Sequence, residues 1–134
     1  MKQLIDEELI PALEGAIPAV ITTASADGIP NVTYVWQVFY VDESHVALSR
    51  QFLNKTLQNV SENNTARVLV TSPVTHLLYK LSLRFIEAQT EGPVFNKMAL
   101  QIAVIAGMQG SADVFPLQSA DIYEVLHVER LALV

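Results

Sequence analysis

The sequence contains no cysteine, which excludes disulfide bonds, thiolate metal sites and cysteine nucleophiles. Basic residues are also scarce, with 8 Lys and Arg against 14 Asp and Glu, giving a net charge of -6. Nucleic acid backbones are neutralised by clustered Lys and Arg, so this balance disfavours nucleic acid as a partner. Only 16% of residues are charged while 51% are hydrophobic, which predicts that some apolar surface meets another subunit.

The sequence lacks the signals expected for export or membrane insertion. Its start becomes acidic at Asp6 instead of showing the positive and then apolar pattern of a secretory signal. The longest apolar stretch, residues 99–108, is interrupted by Gln101 and is too short to span a bilayer. We therefore expect a cytoplasmic protein without a membrane partner. The length of 134 residues fits one domain, and we expect residues 1–134 to form a single one.

Short β-branched and alternating segments dominate the chain and predict a mainly β fold. Leucines at helical spacing predict a leading helix within residues 1–15, which Pro11 should end or kink. Two further helices are expected, one over residues 54–62 and one that runs through Met98, Ile102 and Ile105 and ends near Gly107 or Gly110. Six strands are predicted, over residues 19–24, 31–41, 45–49, 66–71, 77–90 and 121–128. Tight turns at residues 27–28 and 42–44 favour an antiparallel sheet that closes into a barrel or sandwich.

One polar segment stands out where a predicted strand runs into a predicted helix. Its donor side chains belong to Ser49, Arg50, Gln51, Asn54, Lys55 and Thr56. A helix start offers unpaired backbone N–H groups and the positive end of the helix dipole, and such a start suits a phosphate. Spacing alone favours the alternative of a solvated basic surface with Asn54 as a helix cap. No Walker loop or Gly-x-Gly-x-x-Gly stretch gives a separate nucleotide signal.

Several segments together resemble the FMN-binding split barrel of the pyridoxamine 5'-phosphate oxidase-like family. They are the turn 23–30 with Asp27-Gly28-x-Pro30, the strand 31–41, the strand end 46–50 and Asn54-Lys55-Thr56 before a helix. The resemblance implies a six-stranded antiparallel split barrel, a β-barrel with flanking helices, and FMN as the cofactor. It places Thr33, Tyr34 and Val35 along the isoalloxazine ring and the polar segment 49–56 at the phosphate. It also implies a homodimer with flavin at the subunit interface.

The chain departs from true pyridoxamine phosphate oxidases at two places. Those enzymes carry basic residues where this chain has Thr33 and Val38, and they end in a basic, aromatic segment that this sequence lacks. Vitamin B6 oxidation is therefore not expected. The leading hypothesis is an FMN-dependent oxidoreductase acting on an unknown small molecule, with no catalytic residue assigned.

Two alternatives to this oxidoreductase stay open. One is a flavin-binding or sensing module without turnover. The other is a split barrel that holds haem or a deazaflavin, with His76 or His127 as the iron ligand in the haem case. The three histidines show no metal-binding spacing, so we expect no metal site.

Overall fold

A computed structural model describes residues 4–13, 17–35, 38–50, 54–108 and 117–131, and for residues 54–57 and 105–108 it describes the backbone alone. Within these ranges the chain forms seven strands, two α-helices and one 3-10 turn. The strands are β1 (Ala19–Ala24), β2 (Pro30–Val35), β3 (Val38–Asp42), β4 (His45–Arg50), β5 (Thr65–Thr71), β6 (Leu78–Gln89) and β7 (Ser119–Leu131). The helices are α1 (Asn54–Asn63) and α2 (Pro93–Met108), and the 3-10 turn is Ile10–Ala12.

The seven strands form one sheet in the order β2-β1-β5-β6-β7-β4-β3, and every neighbouring pair is antiparallel. The two edge strands are consecutive in the chain, because only residues 36 and 37 separate Val35 of β2 from Val38 of β3. Three Cα steps of about 3.8 Å cannot bridge more than roughly 11 Å. The two edges of the sheet must therefore lie close together, so the sheet curls into a barrel. The predicted mainly β, antiparallel barrel is confirmed.

The strand count differs from the prediction because one predicted strand is two. Residues 31–41 have uninterrupted β-forming character, without glycine or proline to mark a break. In the structure β2 pairs with β1, whereas β3 pairs with β4 at the other edge of the sheet. The division follows from closure of the barrel, a long-range requirement that local propensity does not record.

Both predicted tight turns are present. At the β1–β2 turn, the Gly28 amide donates to the Ser25 carbonyl at 2.9 Å, and Gly28 has φ +81, a conformation that side chains disfavour. At the β3–β4 turn, a carboxylate oxygen of Asp42 accepts a hydrogen bond from the Ser44 amide at 2.9 Å. Local sequence therefore determines these two strand connections.

The predicted leading helix is wrong for the described residues 4–13, where the helical conformation is limited to the 3-10 turn Ile10–Ala12. Pro11 has no amide to donate and opposes an α-helix through this segment. Ile5, Leu9 and Leu13 are nevertheless buried in the main core. The spacing of these apolar residues therefore reflects their burial against the barrel and does not indicate an α-helix.

Two hydrophobic clusters hold the fold together. The main cluster fills the barrel and includes Ile21, Val35, Val46, Val68, Leu81 and Val125. The second contains Phe39, Ala47, Met98, Ala120 and Ile122, and it packs α2 against the other face of β3, β4 and β7. Strand β4 is therefore buried on both faces from Val46 to Ser49. Among the described residues, no helix is long and apolar enough to cross a membrane.

Candidate functional site

The strand-to-helix setting of the polar segment is as predicted: β4 ends at Arg50 and α1 begins at Asn54. The structure describes the side chains of Ser49 and Arg50 from this segment. Gln51 lies outside the described residues, and so do the side chains of Asn54, Lys55 and Thr56. The geometry of the candidate phosphate site therefore rests on the end of β4 and on the strands beside it.

Ser49 is buried, with 2% of its surface exposed, and its hydroxyl oxygen has no hydrogen-bond partner in the described structure. It pairs with Ala120 of β7, and alternation along the strand places it on the same face as Ala47, toward the second cluster. A buried hydroxyl without a partner costs about 1–3 kcal/mol. Ser49 therefore has an unused donor at the last buried position of the strand.

Arg50 points to the opposite face of β4 and binds the carboxylate of Asp121 on β7, which in turn binds Ser119 of the same strand. Its Nε donates to Oδ2 of Asp121 at 2.9 Å, and the Ser119 hydroxyl donates to Oδ1 of the same carboxylate at 2.7 Å. The arrangement follows from the register, which pairs Arg50 with Ser119 directly. The exposed fractions of the Arg50 and Asp121 side chains are 19% and 10%, so the ion pair is largely withdrawn from solvent.

Burial dominates the electrostatics of this cluster. It raises the pKa of Asp121 above its usual value, and the hydrogen bond from Ser119 and the charge of Arg50 oppose the rise. Burial and the nearby Asp121 carboxylate raise the pKa of Tyr123, so its hydroxyl stays protonated at neutral pH. The Tyr123 ring packs edge-on against Phe85 at 5.4 Å. Arg50 is therefore the positive charge that compensates the Asp121 carboxylate in this largely buried, apolar environment.

The three residues expected along a flavin ring lie on the edge strand β2, but not on one face. Tyr34 is 70% exposed and points outward, while Val35 is buried in the barrel core. Thr33 is half-buried and shares the inward face with Val35. Of these three side chains, a ligand on the outward side of β2 could therefore contact only Tyr34. A ligand on the inward side could contact only Thr33 and Val35.

Helix α1 is fastened to the end of β1 by asparagine side chains. Asn59 donates to the Thr23 hydroxyl at 3.0 Å, and Asn63 donates to the carbonyls of Ala24 and Ser25. These contacts fix α1, and with it the start of the helix near the end of β4. Local sequence does not reveal this attachment, because the Ala24 and Ser25 carbonyls that Asn63 binds lie nearly forty residues earlier in the chain.

A groove of about 390 Å³ opens on the sheet where β1 and β5 separate. Their ladder stops at the pair Thr22 and Arg67, although β1 continues to Ala24 and β5 begins at Thr65. The groove is lined by hydroxyl groups, by the Arg67 side chain and by apolar groups. The lining residues include Thr22, Thr65, Ser82, Pro30 and Leu126. No local sequence pattern predicts this groove, since it depends on where two strands that are distant in the chain stop pairing.

The pyridoxamine 5'-phosphate oxidase family matches residues 5–120 of the chain. The chain belongs to this family. An uncharacterized protein of Methanocaldococcus jannaschii is 39% identical over 61 residues, which are 44% of this chain. The match spans only 40% of that curated relative.

Solved structures share the fold of this oxidase-family chain. An FMN-binding protein from Syntrophomonas wolfei subsp. wolfei superposes with a TM-score of 0.72 at 13% identity, covering 87% of this chain and 78% of that one. An F420 reductase superposes with a TM-score of 0.64 at 12% identity, covering 93% and 98% of the two chains. At these identities the likeness establishes the split-barrel fold alone.

Thr33 and Val38, which replace the basic residues of true pyridoxamine phosphate oxidases, have different surroundings. Thr33 lies half-buried in β2, whereas Val38 is part of the main core at the start of β3. A basic side chain at Val38 would enter an apolar cluster. The histidines considered as ligands are exposed, His76 in the β5–β6 turn and His127 on β7, and no group of three potential metal ligands occurs among the described residues.

Proposed function

We propose that this pyridoxamine 5'-phosphate oxidase family member binds FMN and acts as an oxidoreductase on a small molecule. In this proposal the flavin phosphate lies beyond the end of β4, at the segment Ser49 to Thr56. The isoalloxazine ring lies along β2 at Thr33, Tyr34 and Val35. The functional unit is a homodimer.

The observation that carries the proposal is the unpartnered hydroxyl of Ser49, which is buried next to the last residue of β4, the strand that precedes α1 in the chain. A phosphate oxygen supplies the acceptor that this hydroxyl lacks. The first backbone amides of α1 have no partner within the helix and add donors, together with the positive end of the helix dipole. Arg50 supplies a planar cationic group at the same strand end. Donors of these kinds fit a phosphate.

The chemistry would come from the flavin, which transfers hydride or electrons when bound. The chain contributes by holding the phosphate and by presenting one strand edge to the ring. The exposed Tyr34 offers an aromatic surface, and Thr33 offers a hydroxyl on the opposite face of β2. No residue is assigned to proton transfer.

Titration of the purified protein with FMN, followed by flavin absorbance and fluorescence quenching, tests the proposal. Riboflavin, which has the same ring and no phosphate, is the matched ligand. We expect FMN to bind at least about tenfold tighter than riboflavin, as for loss of a charge-assisted hydrogen bond worth roughly 1.5–3 kcal/mol. Equal affinities would refute the phosphate site, and no binding of either ligand would refute the flavin proposal.

Turnover is tested separately with the loaded protein. Bleaching of the flavin by NADH or NADPH, followed by recovery of the absorbance in air, supports an oxidoreductase. A bound flavin that neither reductant bleaches favours a binding or sensing module instead.

A deazaflavin is the second candidate ligand, supported by the likeness of the fold to an F420 reductase. The same titration with F420 in place of FMN separates the two. Tighter binding of F420 than of FMN would replace FMN in the proposal.

A further inference from the structure

We propose that Asp121 is a positioning residue for phosphate recognition: it holds Arg50 by its Nε edge and directs the two terminal guanidinium nitrogens to the bound phosphate. This inference rests on the proposed function, because it assumes an anion at the end of β4. It assigns a role to a residue that the sequence pattern left unassigned.

The geometry of the contact between Arg50 and Asp121 supports a positioning role. A guanidinium is a rigid plane with five N–H donors, and a carboxylate on the Nε side occupies only part of them. The contact to Asp121 is made through Nε at 2.9 Å, so this hydrogen bond does not use the N–H donors of the two terminal nitrogens. A side chain with this many rotamers is thereby fixed before the ligand arrives.

Asp121 is itself held in position by hydrogen bonds. Its other oxygen accepts the Ser119 hydroxyl at 2.7 Å, so both oxygens are engaged from β4 and β7. Ser119 sits opposite Arg50 in the ladder, and Asp121 sits opposite Leu48. These two rungs lie on the same face of the sheet, with the Ser49–Ala120 pair between them. They therefore set the position of the carboxylate, and the carboxylate sets the position of the guanidinium.

A competing role for Asp121 makes the opposite prediction. If the carboxylate merely occupies Arg50 as a substitute anion, removing it would free the arginine and tighten FMN binding. If it positions Arg50, removing it leaves a long side chain to be ordered by the ligand. Ordering one such side chain weakens binding by roughly threefold to tenfold.

The test compares FMN with riboflavin for Asp121→Ala. We expect the dissociation constant for FMN to rise roughly threefold to tenfold while that for riboflavin stays unchanged. Asp121→Asn retains an acceptor for Arg50 and a group that can bind Ser119, so it should bind FMN no more weakly than wild type. In an Arg50→Ala background, Asp121→Ala should have no further effect, since the two residues act as one unit.

Three results would overturn the inference: tighter FMN binding by Asp121→Ala, equal losses for FMN and riboflavin, or additive effects with Arg50→Ala. If Asp121→Ala does not fold, Ser119→Ala provides the test. It loosens the carboxylate and should weaken FMN by about twofold without affecting riboflavin, and unchanged selectivity refutes the role. A wild-type protein that binds both ligands equally would instead refute the proposed function itself, before any variant is measured.

Discussion

The buried hydroxyl of Ser49 is expected to lower the stability of the flavin-free protein and to strengthen the binding of FMN. Without a ligand its oxygen lacks a partner, so Ser49→Ala should raise the free energy of unfolding of the flavin-free protein by about 1 kcal/mol. With FMN the lost hydrogen bond to a charged group should weaken binding roughly tenfold. Denaturant unfolding without flavin and FMN titration measure the two effects.

Ser72 provides the matched control for Ser49. It is equally buried, at 1% exposed, but its hydroxyl accepts hydrogen bonds from the amides of Val74 and Thr75 in the β5–β6 turn. Ser72→Ala should therefore lower stability and leave FMN affinity unchanged. If Ser49→Ala destabilises the flavin-free protein as much as Ser72→Ala does, the Ser49 hydroxyl has a hydrogen-bond partner within the protein. The phosphate site proposed at Ser49 would then be wrong.

The residues of the candidate site differ in how far the sequence could reveal them. Ser49 and Arg50 could be identified because a strand end, donors and a helix start are neighbours in the chain. Asp121 could not be paired with Arg50, since 71 positions separate them and only the β4–β7 ladder brings them together. The available signal was that Asp121 and Glu124 interrupt the otherwise apolar residues 120–125, and this pattern names no partner for either.

Helix α1 owes its position to side-chain contacts with β1. Asn63→Ala removes the hydrogen bonds to the Ala24 and Ser25 carbonyls and should lower the free energy of unfolding by about 1 kcal/mol. Because the start of α1 contributes to the proposed phosphate site, FMN affinity should fall as well. Denaturant unfolding and flavin titration measure both changes.

Ser61→Ala is the control for the attachment of α1. The Ser61 hydroxyl donates to the Gln58 carbonyl within the helix itself, and alanine has the higher helix propensity. This variant should change stability by less than about 0.5 kcal/mol. Equal effects of the two substitutions would mean that Asn63 contributes only to the helix end.

The strands and helices were predictable where their determinants are local. The β1–β2 and β3–β4 turns carry their own signals in Gly28 and Asp42, and the strand end at Arg50 follows from β-branched and apolar spacing. The break between β2 and β3 had no local signal, because closure of the barrel imposes it. The segment around the 3-10 turn Ile10–Ala12 is the reverse case. Its apolar spacing is typical of an α-helix, but it buries side chains of a segment that is not α-helical.

Across the whole barrel, the outward face of β2 carries apolar side chains that nothing in the described structure covers. Val32 is 64% exposed and Tyr34 is 70% exposed, on the same face of an edge strand. Exposed apolar groups of this size on a strand edge mark an interaction surface or an aggregation risk. A second copy of the chain at this face would cover them, as the proposed homodimer requires, and would bring the proposed ring position on β2 to the interface.

Tyr34→Glu tests this surface. Light scattering after size exclusion should give the wild type a mass twice the 14.8 kDa of the chain. A charge placed in an apolar contact is costly, so the variant should raise the dimer dissociation constant at least about tenfold and weaken FMN binding in parallel. Val74→Glu is the control, since Val74 is 75% exposed but lies in the β5–β6 turn, outside β2. A monomeric wild type, or a Tyr34→Glu protein as dimeric as Val74→Glu, would place the subunit contact elsewhere or remove it.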